Sequence, residues 1–338
     1  MKKFLKTLPL LMVTSLSACD IAHSYPIDTL FCFDTVVTVK TLQYSGLMYS
    51  VRVQKPTCDI IKNVDAISDA YNKSDVTSVY DINVTNEKIE ISKDLYDLLY
   101  QSLNIKEKAK YINPLIGSLT KKWKESLDKN EVLSDSIIQE ELTKINNSSL
   151  ILEVEDNKYY AQRVGDALID VGAVAKGFAL DKAQEYLKEH TDPEYEYLID
   201  AGSSSVLLGN NFDHKHSISS FKIKLKDLSK DSYLYLNNCY VSTSGISEQG
   251  VRIGGKTYSH IINPFDGSAI NNYDTVIVVT TFDNGSNGLL GDALSTSFMM
   301  SSIEEIKDTI EDTDIDVIVI KDDEIIYSSG SELIKIYG

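Results

Sequence analysis

An α+β fold, with mixed or antiparallel sheets flanked by helices, is predicted by three features of this sequence. Its apolar residues recur at alternate positions in some stretches and at i, i+3, i+4 in others, so strands and amphipathic helices are both present. These stretches lack the regular strand–helix–strand rhythm of a doubly wound parallel sheet. A length of 338 residues, 43% hydrophobic and 25% charged, suits a globular body with a substantial core.

The N-terminus reads as an export signal. Lys2, Lys3 and Lys6 precede an apolar run from Leu8 to Val13, too short for a stable membrane span. Leu16-Ser17-Ala18-Cys19 has the form of a bacterial lipobox, whose cleavage leaves Cys19 as a lipidated N-terminus. The expected organisation is a signal peptide over 1–18, lipid-bearing Cys19 with a polar tether over 19–27, and one body over 28–338. That body is expected on the extracytoplasmic side, anchored to the bacterial cell membrane. The formal charge is −17, removal of the leader makes it more negative, and no basic stripe offsets it. Such a surface repels polyanions, which excludes nucleic acid as a partner. Cys32, Cys58 and Cys239 are widely spaced and form no zinc pattern, leaving one disulfide or buried thiols.

Along the chain, residues 35–42 alternate as a strand, with 44–53 as its hairpin partner. Ile60, Ile61, Val64, Ile67 and Ala70 mark one face of a helix over 59–71. Residues 75–80 read as a polar turn and 88–91 as a short strand, and Ser92 caps a helix to about Lys108. Pro114 and Gly117 interrupt 111–123, and a helix restarts near Leu119 carrying Trp123, expected in the core. A helix over 134–146 precedes a hairpin over 151–162 that turns at Asp156-Asn157. Strands are expected at 197–199, 221–225 and 233–241. GVRIGGKT at 250–257 fits a phosphate-loop pattern, but Gly254-Gly255 separates two β-like runs, which makes it a hairpin. DNGSNG at 283–288 lacks the acids of a calcium loop. Residues 274–281 form a buried-type strand, a helix runs from 291 to about 310, and 316–320 with 324–327 make a closing hairpin.

Two stretches carry the chemistry. In DVGAVAKGFAL, 170–180, a strand over Ala167-Leu168-Ile169 ends at Asp170 and Gly172, and a helix follows over 173–187. Backbone N–H groups at that helix start and Lys176 then point at one spot. In GDALST, 291–296, Asp292 and Thr296 lie four residues apart where a helix begins, so a carboxylate and a hydroxyl share a face. Hard oxygen ligands beside a phosphate-friendly helix start suit magnesium holding a diphosphate. Each piece alone has an ordinary structural reading, as a helix cap or an α/β turn. A lone histidine such as His260 is commonly structural too.

Taken in order, INPLIGSLTKKW, DVGAVAKGFALD, AGSSSVLLG, VSTSG, HIINPFDG and GDALST resemble the ApbE family of FAD:protein FMN transferases, from about Phe33 to the C-terminus. The resemblance implies two lobes with FAD in a cleft between them. It implies a magnesium-dependent enzyme that splits FAD at the diphosphate and joins FMN by a phosphoester to a threonine of an exported flavoprotein, releasing AMP. Asp292, Thr296 and the Ala173 carbonyl match the magnesium ligands. Phe33, Tyr111, Ile112, Asn113, Asp170, Lys176, Ser244 and His260 match positions around FAD. A threonine nucleophile needs a base, for which His260 is the first candidate and Asp292 the second; Lys176 would stabilise the diphosphate or leaving AMP. The family's M-G-T is Phe33-Asp34-Thr35 here, its F-D before the proline is Ile112-Asn113, its G-G-D is Gly202-Ser203-Ser204, and Asn263 replaces the aspartate of H-I-I-D-P. With water as nucleophile the same site is an FAD pyrophosphatase, and without turnover a flavin-binding lipoprotein.

Overall fold

The computed structural model describes residues 27–41, 50–212, 217–246, 250–282 and 287–330. The chain enters at a hairpin of β1 (Ile27–Cys32) and β2 (Thr35–Thr41), whose turn residues Phe33 and Asp34 both have positive φ. β2 thus pairs with the strand before it; of the partner expected at 44–53, residues 44–49 lie outside the described residues, and Ser50–Gln54 is a single helical turn leading into α1 (Lys55–Ser68). Next come α2 (Val79–Asn83), β3 (Ile89–Ile91), α3 (Lys93–Asn104), α4 (Gly117–Leu127) and α5 (Asp135–Asn146). Gly117 opens α4 instead of breaking it. Trp123 is buried as expected. β4 (Ser149–Glu155) and β5 (Lys158–Val164) turn at Asp156-Asn157, both left-handed, and join β3 in a three-stranded sheet.

The expected strand at 167–169 is irregular chain, because other partners take its backbone groups. The Asn83 side chain pairs with both the N–H and C=O of Ile169, at 2.7 and 2.8 Å, while Leu168 C=O accepts from Gly117 N–H at 2.9 Å. Helix α6 (Ala175–His190) follows. Then come β6 (Tyr197–Ala201), β7 (Ser205–Leu208), β8 (Phe221–Leu225), β9 (Ser232–Leu236) and β10 (Cys239–Gly245). The expected strand over 233–241 is therefore two strands, divided at Asn237-Asn238, where Asn238 takes positive φ. β11 (Val251–Ile253) and β12 (Lys256–Tyr258) are the predicted glycine hairpin, and β13 (Thr275–Thr281) follows. The expected long helix from 291 is also two, α7 (Gly288–Phe298) and α8 (Ile303–Ile310), since Ser302 restarts the helix with a capping box to Glu305. β14 (Ile315–Lys321) and β15 (Glu324–Ser328) close the described chain.

The main sheet has eight strands in the order β1-β2-β6-β7-β10-β13-β14-β15, each antiparallel to its neighbours, so the fold is α+β as predicted. Side chains alternate between its faces. On one face Leu207 and Tyr240 pack against Leu180 and Leu187 of α6, and Val276 and Val278 share a core with Leu289 and Leu294 of α7. On the other, Val206, Val241, Ile277 and Ile318 pack against Leu225, Leu234 and Leu236 of the β8–β9 ribbon. Cys32, Cys58 and Cys239 are buried and free. Burial is the main influence pushing their thiols up to about 11, 12 and 12, which leaves them inert. Among the described residues no helix is long and apolar enough to cross a membrane.

Candidate active site

Helices α6 and α7 cross at a pair of glycines. A Cβ on Gly177 would lie 2.1 Å from the Gly288 carbonyl oxygen, and one on Gly288 would lie 2.5 Å from that of Gly177. Only glycine permits so close an approach. At the crossing the helices exchange carboxylates. Asp181 of α6 accepts from the N–H groups of Gly288 and Leu289, at 2.7 and 2.9 Å, in the first turn of α7. Asp292 of α7 accepts from Gly177 N–H, in the first turn of α6, at 2.6 Å. Asp292 therefore sits one turn inside its own helix and caps its neighbour, which corrects the expected placement at a helix start. Burial lifts the Asp181 carboxyl to about 7, against the pull of the two amides.

The strands supply the rest of the Asp292 surroundings. Ser205 Oγ and Ser242 Oγ donate to it at 2.8 and 2.7 Å. Burial raises its pKa, opposed first by the Lys176 charge and then by these hydrogen bonds. A carboxylate has about four lone-pair sites. Three donors here leave one for a ligand in the cavity that Asp292 lines. One turn further along α7, Thr296 Oγ1 lies 3.1 Å from Ser244 Oγ, which also meets Ser295 Oγ at 2.9 Å.

That cavity, of about 1150 Å³, brings together every described residue that the sequence assigned to the site. Ala173 lies on its wall, in the exposed turn before α6, with Lys176 one turn along and hydrogen-bonded to Ser204 Oγ. Asp170 accepts from its own turn at Gly172 N–H, 2.7 Å, and from Tyr71 Oη, 2.6 Å. Asn113 caps the turn into α4 by accepting from Leu115 N–H at 3.0 Å. The Tyr111 ring meets Phe265 edge-on at 5.5 Å, while Ile112 is mostly core. Phe33 reaches the cavity from the β1–β2 turn, where its N–H donates to Asp65 at 2.7 Å. Asp34, in the position of the family's glycine, adopts the left-handed conformation that Asp tolerates. His260 is open to solvent yet walled by protein, and burial followed by the Lys176 charge holds its pKa below the usual value. Cys19 lies outside the described residues.

One buried carboxylate and neighbouring hydroxyls, on a cavity wall that the turn at Ala173 shares, make a hard, sparse donor set. Among the described residues no three His, Cys, Asp or Glu side chains gather as a metal cage. Magnesium, which keeps waters and takes phosphate oxygens, suits the first arrangement and does not need the second. The chemistry of the donors therefore fits the ion.

Sequence reasoning missed Asp181, Tyr71, Ser205, Ser242 and the glycine pair. Signals existed for some: Asp181 falls four residues after Gly177 on one helix face, and Ser205 and Ser242 border apolar runs at positions sharing the parity of Leu207 and Tyr240, which face the helices.

The chain matches the ApbE family over residues 33–319. It is 28% identical over 229 residues to an FAD:protein FMN transferase of Klebsiella pneumoniae (strain 342), covering 65% of this chain and 67% of the relative. To one of Treponema pallidum (strain Nichols) it is 26% identical over 193 residues, 53% of either chain. Its fold is similar to that of the flavin transferase ApbE from Vibrio cholerae, with a TM-score of 0.70 at 20% identity, covering 91% of this chain and 98% of that one. A family match spanning most of its length, on a fold shared with a solved ApbE structure, makes this chain a member of the ApbE family.

Proposed function

We propose that this chain is a magnesium-dependent FAD:protein FMN transferase, exported and held to the membrane by lipid on Cys19. It moves FMN from FAD to a threonine of an exported flavoprotein and releases AMP. The observation that carries this reading is the convergence of Asp292, Thr296, Ala173, Lys176 and His260 on one cavity in an ApbE-family chain. At about 1150 Å³ the cavity exceeds the usual range for a small ligand, as a dinucleotide requires.

The residues divide the work. Asp292, Thr296 Oγ1 and the Ala173 carbonyl would hold magnesium, which supplies charge neutralisation at the diphosphate. His260, neutral because its pKa is lowered, accepts the proton of the acceptor threonine as that oxygen bonds to the FMN phosphorus. The bond from this phosphorus to the bridging oxygen breaks, and its electron pair leaves on AMP. Lys176 offers an ammonium to the charge that develops there. Phe33, Tyr111, Ile112, Asn113, Asp170 and Ser244 bound the space for the flavin and adenine ends.

The test incubates the full chain with FAD and magnesium, with and without an exported flavoprotein domain, and measures AMP and FMN-modified threonine. AMP only with the acceptor supports transfer. AMP without it shows a pyrophosphatase, and bound FAD without AMP shows a binder; either overturns the proposal.

A further inference from the structure

The β8–β9 ribbon carries a surface that its share of the linear charge balance hides. Inward residues Leu225, Leu234 and Leu236 pack on the sheet, so the pleat turns Lys222 and Lys224 of one strand and Tyr233 and Tyr235 of the other outward, with Lys226 exposed just beyond β8. Lys222 Nζ lies 3.7 Å over the Tyr233 ring, and Tyr235 is 43% exposed. Lys230 is exposed in the connecting turn. Of the two acids on the ribbon, Asp231 pairs with Lys224 at 2.6 Å, both well exposed and free to exchange partners. Asp227 is tied to the body by accepting from Thr275 Oγ1 at 2.6 Å. The chain as a whole stays strongly acidic, and these lysines, which alternate in sequence, form a local cluster on one face of the ribbon.

We propose that this lysine–tyrosine ribbon docks on the anionic headgroups of a lipid bilayer, as a second contact beside the tether. This rests on the proposed lipid at Cys19. Lysine and tyrosine are the side chains that combine charge for headgroups with an amphipathic body for the interface. A lipid chain supplemented by a basic patch also anchors better than one signal alone.

The sheet register places Ile27, the first described residue after the tether, and one end of the ribbon at the same end of the main sheet. Ile27 pairs with Lys40, Lys40 with Leu198, Leu198 with Leu208, and Leu208 with Cys239. Four strand spacings separate the first from the last, about 19 Å. Leu236, three residues before Cys239, pairs with Phe221, so the ribbon's Phe221–Leu236 end lies there too. Cys19 precedes Ile27 by a stretch of chain that spans at most ~28 Å, enough for its lipid and the ribbon to meet one plane. The catalytic cavity, on the α6–α7 side of the sheet, would then lie on the far side from the bilayer.

The test reconstitutes the full lipidated chain in phosphatidylcholine vesicles with or without phosphatidylglycerol, labels lysines with a water-soluble amine reagent, and reads each site by mass spectrometry. Expected is ~5-fold slower labelling of Lys222, Lys224 and Lys226 when phosphatidylglycerol is present. That difference should vanish in high salt, with Lys158 of β5 unchanged throughout. Equal labelling in both vesicles overturns the proposal, as does protection that appears only when an acidic protein partner is added. The mass of the N-terminal peptide reports lipidation separately. If Cys19 carries none, the same chain should still co-sediment with phosphatidylglycerol vesicles and not with phosphatidylcholine alone, and failure to do so overturns the ribbon's role independently of the tether.

Discussion

Strands β7 and β10 serve two surroundings at once. Toward the β8–β9 ribbon they present Val206, Leu208 and Val241, which belong to one buried apolar cluster. Toward α6 and α7 they present Ser205 and Ser242, whose hydroxyls are committed to Asp292. One face stabilises; the other positions. The apolar side, where Leu234 is fully buried, contributes roughly 2 kcal/mol per large side chain and tolerates no chemistry. The polar side accepts the cost of burying a carboxylate because three donors meet it. A site of this kind rests on stability supplied from behind the sheet.

Substitutions on the two faces should therefore separate activity from stability. The largest effect is expected at Asp292→Asn, which keeps the shape but removes the charged ligand: AMP release should fall by ~1000-fold, far more than the loss of folded protein that follows from putting an amide NH2 where one oxygen accepted. His260→Gln should lower transfer by ~100-fold. In the parent protein the His260 pKa is lowered, so the active neutral form persists below the usual value of about 6.5 and activity is lost only as pH falls further. That acid limb should disappear from the pH–rate profile of His260→Gln. Leu234→Ala, on the ribbon face, should reverse the pattern, costing about 3 kcal/mol in denaturant unfolding while leaving the rate per folded molecule unchanged. A rate loss there exceeding the loss of folded protein would break the division between the faces. The smallest effect is Ser242→Ala, which removes one of three donors: about 1 kcal/mol of stability, with a rate loss greater than that of any single ribbon-face truncation.

The parts legible from sequence were those written in local spacing. Asp292 and Thr296 share a helix face because four residues make about one turn, and the hairpins at Asp156-Asn157 and Gly254-Gly255 announce themselves by residues that accept positive φ. Contacts between distant segments were not legible. Nothing near 167–169 says that the Asn83 side chain will occupy its backbone and deny it a ladder. The strand over 233–241 looked continuous because Asn237-Asn238 is a turn only when the ribbon folds back on the sheet. Gly177 and Gly288, separated by over a hundred residues, become meaningful only when their backbones touch. The motif residues could be named from their own segments, whereas the residues that hold them, Asp181, Ser205 and Ser242, are defined by the crossing.

The central proposal is that the turn before α6 and helix α7 together would hold one divalent ion at the diphosphate. Its most direct test is anomalous diffraction from crystals of the protein soaked with FAD and manganese as a stand-in for magnesium. The expected result is one ion within direct ligand distance of an Asp292 carboxylate oxygen, Thr296 Oγ1 and the Ala173 carbonyl oxygen, beside the diphosphate. An ion bound to the diphosphate without Asp292, or seated elsewhere in the cavity, would contradict it.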